Sequence, residues 1–339
     1  MVRNAHLIGS VGLNDAETVF ATVSEILGSS CQQLPDGETG ERGNWIRWQR
    51  ATFASHPDFE EAVTTTSMPG FKDGIARTLF KLRKEADPTN MEMGGLGYAR
   101  EAIASYKVLA RLVDTGKIAR GARFKVALPT PVALVCGFVM ESDRAKVERA
   151  IEQSLIAEVD LIQRSIPLNR LSIQWDVCHE IIGAEGGVQL PYVDAIAGSA
   201  ERVGRLCGKI DPSVGLCIHL CYGDPGHKHI VEPKDLSISV AFANGICQAS
   251  SRHIDFIHMP VPRARADESY FAPLANLRLP SSTRLVLVHF TDGVEGSRKR
   301  IAAAERHVKE FDIATECGFG RRDPATVQEL LRIHKALCS

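Results

Sequence analysis

Three residues in the second half of the chain have the chemistry of metal ligands. His219 and Cys221 are separated by one residue in the strand-like run VGLCIHLCY, so both side chains point to the same face of a strand. Cys317 lies near the end of a later run, DIATECG. One imidazole and two thiolates form a soft ligand set that suits zinc and leaves a fourth position for a substrate. Because zinc keeps a bound thiol deprotonated at neutral pH, this set predicts attack by a thiolate.

A plainer interpretation of the same residues is that they pack in the core. A His-x-Cys pair in a strand is common, and cysteine is among the most buried residue types. The chemical interpretation is favoured by position, because Cys221 and Cys317 both fall at strand ends. Reactive or polar side chains also stand at the other strand ends, at Ser10, Asp176, His258 and His289.

Strand-like and helix-like runs alternate along the chain. The strand-like runs are 6–11, 31–35, 124–129, 171–177, 214–222, 254–259, 284–290 and 312–318. The helix-like runs are 14–27, 73–86, 97–115, 142–165, 192–207, 234–249, 268–277, 297–309 and 324–337. Apolar strands that are each followed by a helix are typical of a parallel sheet covered on its outside. Eight such strands predict an α/β protein with a (β/α)₈ TIM barrel, a single domain over residues 1–339. An open doubly wound sheet shows the same alternation and is the alternative.

Composition excludes several classes of function. The 339 residues include 40 basic and 41 acidic side chains, and a net charge of −1 builds no field that would attract nucleic acid or anionic lipid. No apolar run approaches the roughly 20 residues of a membrane helix, and the N-terminus lacks the features of a signal peptide. The nine cysteines are scattered and odd in number, which favours reduced thiols in a cytoplasmic protein. The sequence leaves open whether the protein is a homodimer.

Several motifs, in order, resemble the catalytic barrel of cobalamin-independent methionine synthase, within the superfamily that also holds uroporphyrinogen decarboxylase. IHLCY (218–222) resembles the His-x-Cys strand of that family, and ATECGFGRRDPATVQELL (314–331) resembles its later Asp-Cys-Gly segment. The other similar segments are HLIGSV (6–11), DGETGERGNW (36–45), KVALPTPVAL (125–134), IQWDV (173–177) and VHF (288–290). The family's extra N-terminal barrel has no counterpart, so we expect a stand-alone core.

The resemblance implies a role for each matching residue. It makes His219, Cys221 and Cys317 the zinc ligands. It also implies substrate-binding roles for Ser10, Glu38 and Arg42, and catalytic roles for Asp176, which orients the thiol, and His289, which donates a proton to the methyl carrier.

Two positions depart from the family pattern. Pro260 stands where an acidic residue of the family completes the zinc site, and His258 is the candidate replacement, with Asp224 a weaker one. Val177 stands where a second acid helps to hold the amino group of homocysteine, and Glu180 is a candidate substitute. Losing a carboxylate that pairs with a buried ammonium weakens binding by several kcal/mol. We therefore expect a thiol other than homocysteine.

These features predict a zinc-dependent transfer of a methyl or other alkyl group to a small-molecule thiol activated as a zinc thiolate. The methyl donor is open among a methylated folate, a methylated corrinoid and a small onium or ether compound. One alternative is a methionine synthase proper that uses homocysteine and methyl-tetrahydrofolate. Another is a metal-free lyase or decarboxylase of the uroporphyrinogen decarboxylase type, in which Arg42, Arg47 and Arg50 hold substrate carboxylates. A third is a binding protein without turnover.

Overall fold

A parallel sheet forms the centre of the computed structural model, which describes residues 2–66, 75–225, 229–287, 293–315 and 317–338. Its strands, in their order across the sheet, are β1 (Gln33–Pro35), β4 (Arg123–Pro129), β5 (Leu171–Val177), β6 (Gly215–Leu220), β7 (Phe256–His258), β8 (Arg284–Leu287) and β9 (Asp312–Ile313). Strands β2 (Phe59–Thr66) and β3 (Ile75–Leu82) form a separate antiparallel hairpin.

The N-terminal segment closes the sheet into a barrel. Ala5 pairs in parallel with Ile313 of β9, and Ser10 pairs in parallel with Gly37, just after β1. The segment therefore lies between the first and last strands of the sheet and completes the wall of the barrel. This confirms the predicted (β/α)₈ barrel and rules out an open doubly wound sheet, whose edge strands stay apart.

Helices cover the outside of the barrel and connect its strands. They are α1 (Ala16–Leu27), α2 (Arg50–Ser55), α3 (Tyr98–Asp114), α4 (Pro131–Phe138), α5 (Glu141–Ser165), α6 (His179–Ala184), α7 (Ala195–Cys207), α8 (Ser237–Ala249), α9 (Glu268–Phe271), α10 (Gly293–Ala304) and α11 (Val327–Leu337). Among the described residues, no helix combines the length and the hydrophobicity that crossing a membrane requires.

The helix predicted near residues 73–86 is wrong. In the described part of that range, residues 75–82 form β3, which pairs residue by residue with β2. The run KLRKEA contains good helix formers, but β2 contains the β-branched run VTTT, and pairing with that strand overrides local helix propensity. The hairpin follows α2 and brings Arg77 and Thr78 to the wall of the cavity described below.

Buried charged groups hold the two ends of the sheet together. The Asp312 carboxylate at the start of β9 is fully buried and accepts hydrogen bonds from His6 Nε2 at 3.1 Å and from the Asn4 main-chain N–H at 2.9 Å. The Arg284 guanidinium, on the neighbouring strand β8, donates two more at 2.7 and 2.9 Å. Because these partners come from both sides of the seam, the carboxylate ties β8 and β9 to the N-terminal segment.

Candidate active site

Three of the predicted metal ligands converge at the C-terminal ends of the barrel strands. His219 lies on β6, Cys221 directly follows that strand, and Cys317 lies in the loop after β9. One ligand atom from each residue lies within 4.8 Å of the other two. His219 and Cys221 are buried and Cys317 is half-buried, so a bound ion would be largely shielded from water.

The chemical state of these side chains fits a zinc ion. Burial lowers the pKa of His219 to about 3, so its imidazole is neutral, as a metal ligand must be. Its Nε2 atom is buried and has no hydrogen-bond partner in the described structure. Contact with Cys178 raises the pKa of Cys221 well above its usual range, and contact with Cys221 does the same for Cys317. A cation would lower both values, because coordination deprotonates a thiol.

His258 contacts His219 but stands outside the three-ligand cluster. The two residues are direct neighbours in the register of β6 and β7, and their Nδ1 atoms are 2.7 Å apart. That contact uses Nδ1 of His219 and leaves Nε2 as the atom available to a metal. His258 is thus placed to orient a ligand, and its role as a ligand itself stays a prediction.

The loop that carries Cys317 is fastened to the N-terminal segment through Ser10. Phe319 N–H donates to the Ser10 carbonyl oxygen at 3.0 Å, and Gly320 N–H donates to Ser10 Oγ at 3.3 Å. A Cβ atom on Gly318 would lie 2.3 Å from Ser10 Oγ and 2.9 Å from Ser10 N. The segment Cys-Gly-Phe-Gly therefore needs glycine at 318, because its main chain lies too close to Ser10 to leave space for a side chain.

A guanidinium group lies beside the cluster. Arg321 Nη2 is 3.7 Å from Cys317 Sγ and 3.4 Å from Asp224 Oδ2, and Arg321 Nε donates to the Asp224 main-chain oxygen at 3.1 Å. Burial would lower the pKa of Arg321, but the neighbouring Cys317 and Asp224 outweigh burial and raise it. Arg321 thus places a positive charge beside Cys317 and engages Asp224, the weaker candidate ligand.

The cluster of His219, Cys221 and Cys317 lies at the wall of a cavity of about 640 Å³. The same wall includes the two acids Glu38 and Asp176. Burial raises the pKa of Asp176 to about 7, while its carboxylate accepts hydrogen bonds from Gln174 Nε2 at 2.8 Å and Trp45 Nε1 at 3.2 Å. Burial and the nearby charge of Asp176 raise the pKa of Glu38 to about 8. The two carboxyl groups therefore hold at least one proton between them near neutral pH.

The polar segment after β1 shapes this wall. The Asp36 carboxylate accepts hydrogen bonds from the Glu38 N–H at 2.9 Å, from Arg42 Nη2 at 2.8 Å and from Ser105 Oγ at 2.7 Å. Arg42 does not line the cavity, and its partners fix the loop that presents Glu38. Glu38 and Trp45 have positive φ angles of 48° and 55°, a strain that such loops carry at functional sites.

Most of the predicted site residues meet at this cavity. Those that line it are Ser10, Glu38, Asp176, His219, Cys221 and Cys317. His258 lies behind His219, and Arg42 lies behind Asp36. His289 falls outside the described residues, so its role as proton donor stays a prediction.

Sequence reasoning missed several side chains of the site. Trp45 donates to Asp176 and stacks on His179, with ring centroids 5.7 Å apart and planes 14° apart. Cys178 contacts Cys221, and Lys125, 3% exposed inside the barrel, donates to the Leu7 carbonyl oxygen at 2.9 Å. Position offered a signal for Cys178, which directly follows β5. Nothing in the local sequence marks Trp45, whose place depends on the folded loop.

Comparison with sequence families and with curated proteins gives no match. Solved structures do match, over nearly the whole chain. A B12-independent methionine synthase from Shewanella sp. W3-18-1, in complex with selenomethionine, has a TM-score of 0.63 at 12% identity, covering 100% of this chain and 97% of that one. A putative vitamin-B12 independent methionine synthase from Listeria monocytogenes gives 0.57 at 12% identity, with coverages of 95% and 86%.

A third solved structure is a methyltransferase from Methanosarcina mazei. Its TM-score is 0.59 at 9% identity, and the alignment covers 100% of this chain and 95% of that one. At such low identity the likeness shows the fold alone. The chain thus has the barrel fold of these methionine synthases and of this methyltransferase.

Proposed function

We propose that this protein is a zinc-dependent methyltransferase that moves a methyl or other alkyl group to the sulfur of a small thiol. The observation that carries the proposal is the cluster of His219, Cys221 and Cys317 at the wall of a substrate-sized cavity. The shared fold adds support, because the similar solved structures are methionine synthases and a methyltransferase.

His219, Cys221 and Cys317 would hold the zinc, with His219 binding through Nε2. When bound, zinc supplies a Lewis acid that keeps a substrate thiol deprotonated at neutral pH. In the overall reaction a sulfur–carbon bond forms and the bond from the methyl group to its carrier breaks. The thiol proton ends on the leaving nitrogen of a folate or the leaving oxygen of an ether, and it is released to solvent when the donor is a corrinoid or an onium compound, so no oxidant or reductant is needed.

Among the described residues, Glu38 and Asp176 are suited to accept this proton and to release it. With pKa values raised to about 8 and about 7, they can take up a proton from a thiol and release it to a leaving group near neutral pH. Trp45 Nε1 and Gln174 Nε2 fix the position of the Asp176 carboxylate. His289 is the further candidate donor from the sequence.

The structure favours an acceptor other than homocysteine. Val177 is fully buried on β5, so that position offers no acid to an amino group. Glu180 does not replace it, because its carboxylate is fully buried in α6 and does not line the cavity. Burial raises the pKa of Glu180 to about 7, which further weakens its attraction for an ammonium group. We infer a thiol whose recognition does not depend on a second acid.

The lyase alternative loses part of its support. In that alternative three arginines hold substrate carboxylates, but Arg42 is paired with Asp36 at 2.8 Å and Arg50 with Glu61 at 2.6 Å. Arg47 alone of the three forms no ion pair in the described structure.

Metal content measured by mass spectrometry on the purified, zinc-supplemented protein tests the proposal. We expect about one zinc per chain, as for a three-ligand catalytic site, and its loss in both Cys221→Ser and Cys317→Ser. Cys247→Ser is the matched control, because Cys247 lies half-buried on α8, outside the cavity. Retention of zinc by both ligand variants, or absence of zinc from the parent protein, contradicts the proposal.

A protein that passes this test can then be screened for activity. Thiols with and without an amino group should be paired with methylated folates, methylated corrinoids and onium compounds, and thioether formation followed by mass spectrometry. Turnover with simple thiols that exceeds turnover with homocysteine would support the inferred acceptor class.

A further inference from the structure

Three thiols lie along the wall of the cavity. Cys178, Cys221 and Cys317 all line it, and each is a free cysteine. Cys221 and Cys317 belong to the cluster that would hold zinc, whereas Cys178 stands outside that cluster. The proposed function therefore gives the thiol of Cys178 no role, although this thiol lies beside a metal ligand and at the space that a substrate would occupy.

The ends of two neighbouring strands bring Cys178 and Cys221 together. Val177 of β5 and Leu220 of β6 are partners in the parallel register, and the Cys221 N–H donates to the Val177 carbonyl oxygen at 3.0 Å. Each cysteine directly follows its strand, and the two side chains are in contact. Neighbouring strands lie about 4.8 Å apart, which falls within the range of about 4.4–6.8 Å between the Cα atoms of a disulfide. The two cysteines are therefore close enough to be joined without a large movement of the main chain.

The surroundings of the three sulfur atoms favour this pair over the pair of Cys221 and Cys317. Cys317 Sγ lies 3.7 Å from Arg321 Nη2, and two hydrogen bonds fasten its loop to Ser10. The side chain of Cys178 lies in a small buried apolar cluster that also contains Cys221. Of the two thiols that contact Cys221, the thiol of Cys178 is therefore the less restrained.

We propose that Cys178 forms a reversible disulfide with Cys221 when a hydroperoxide enters the cavity. A thiol is oxidised reversibly where a second thiol lies next to it and can complete a disulfide. Because both cysteines line the cavity, a small peroxide has the same access to them that a substrate thiol needs. The effect on metal binding rests on the proposed function, in which Cys221 is one of three zinc ligands.

The reaction balances with hydrogen peroxide as the oxidant. The sulfur of one thiol attacks the peroxide, the O–O bond breaks, and a sulfenic acid and one molecule of water form. The second thiol then attacks the sulfenic sulfur, the S–O bond breaks, and the hydroxyl group leaves with the thiol proton as a second molecule of water. Two thiols are thus oxidised to one disulfide while one peroxide is reduced to water.

The disulfide would act as a switch on the metal site. It removes Cys221 from the donor set and leaves His219 and Cys317, whereas a catalytic zinc site needs three protein ligands. It also protects Cys221, because a sulfenic acid that meets no second thiol is oxidised further to a sulfinic acid, which thiol reductants do not reverse. A dithiol reductant that opens the disulfide would restore all three ligands.

Disulfide mapping tests this proposal without any measurement of turnover. The zinc-supplemented protein is treated with hydrogen peroxide, its remaining thiols are alkylated, and an unreduced digest is analysed by mass spectrometry, while a chromophoric chelator records the zinc that is released. We expect a pair of peptides that joins Cys178 to Cys221, with about one zinc released per disulfide. Reduction with dithiothreitol should restore zinc binding.

Cys178→Ala separates the switch from the metal site. The variant keeps the three ligands, so we expect it to take up as much zinc as the parent before oxidation. After oxidation and reduction it should regain little of that zinc, because Cys221 is then oxidised to the sulfinic acid. Cys247→Ser is the matched control, since Cys247 is more exposed than Cys178 but lies outside the cavity, and this variant should behave as the parent does.

Three results would overturn the proposal: a disulfide between Cys221 and Cys317 in place of the expected one, the absence of any disulfide at Cys221, or equal recovery of zinc by the parent and Cys178→Ala. The zinc content of every sample is measured alongside. The expected disulfide in a protein that takes up no zinc would refute the proposed function and leave the thiol pair standing. Zinc uptake without the disulfide would refute only the thiol pair.

Discussion

The imidazoles of His219 and His258 face each other through their Nδ1 atoms, 2.7 Å apart across the neighbouring strands β6 and β7. Only one Nδ1 can carry the shared proton, so the contact couples the tautomers of the two rings. Burial lowers the pKa of His258 well below its usual range, and the adjacent His219 lowers it further, so neither ring is charged. The contact therefore leaves Nε2 as the nitrogen of His219 that is available to a metal ion.

His258→Ala should weaken zinc binding without abolishing it. Removing the group that orients a metal-bound histidine typically costs about 10- to 100-fold in metal affinity. We expect that loss in a competition titration with a chromophoric chelator, with about one zinc still bound at saturation. His253→Ala, at a half-exposed side chain outside the cavity, is the control. Complete loss of zinc in His258→Ala would show instead that His258 is a ligand, as the sequence suggested.

The sequence indicated the ligands better than their surroundings. The spacing of His219 and Cys221 fixes a shared strand face, and the sequence predicts β5 at 171–177, the range that the structure gives. Both inferences depend on local geometry alone. The orientation of His258 depends on the register between two strands, which no local pattern reveals.

The least predictable part of the site is the segment between β1 and α2. Its polar, glycine-rich sequence indicates only a loop, but the structure places Trp45 at a positive φ and stacks it on His179, more than a hundred residues away. Such contacts arise from tertiary packing. The β2–β3 hairpin was missed for the same reason, since its strands are stabilised by each other.

Gly318→Ala should displace the loop that carries Cys317. The added Cβ would lie 2.3 Å from Ser10 Oγ and 2.9 Å from Ser10 N, and main chain cannot move aside as easily as a flexible side chain. We expect zinc affinity to fall by about tenfold, the scale found when the surroundings of a metal ligand are disturbed. Gly121→Ala is the control, because nothing lies within 4 Å of its added Cβ. Equal zinc affinities in the two variants would refute the tight approach of Ser10 to this loop.

Glu38→Gln should stabilise the protein increasingly as the pH rises. Burial raises the pKa of Glu38 to about 8 from its ordinary 4.5, so between these values the folded state binds more protons than the unfolded state. Stability from this group is therefore complete below about pH 4.5 and is lost as the pH rises toward 8. We expect the melting temperature of the variant to exceed that of the parent by about 2 °C or more at pH 8. The difference should be smaller at pH 5. The control Glu92→Gln, at an exposed residue, should melt at the same temperature as the parent at both pH values. A difference in melting temperature between Glu38→Gln and the parent that does not grow with pH would contradict the raised pKa of Glu38.

Asp312→Asn should destabilise the barrel at the seam between its ends. Burial alone would raise the pKa of Asp312, but the hydrogen bonds from His6 and Arg284 hold it well below its ordinary 3.8. The unfolded state therefore binds more protons in acid, and the stability from this group is present above about pH 4 and lost as the pH falls. Near neutral pH, removing one charge from a buried, hydrogen-bonded pair costs about 3 kcal/mol.

Urea denaturation of the parent and of Asp312→Asn at pH 7 and at pH 3 checks this. The difference in unfolding free energy should be about 3 kcal/mol at pH 7 and smaller at pH 3, where the unfolded parent takes up a proton that the folded parent does not. Asp114→Asn, at an exposed site at the end of α3, should change stability by no more than about 0.5 kcal/mol. An equal loss at both pH values would mean that Asp312 acts through its shape and hydrogen bonds. In that case its charge would not be what joins β9 to the N-terminal segment.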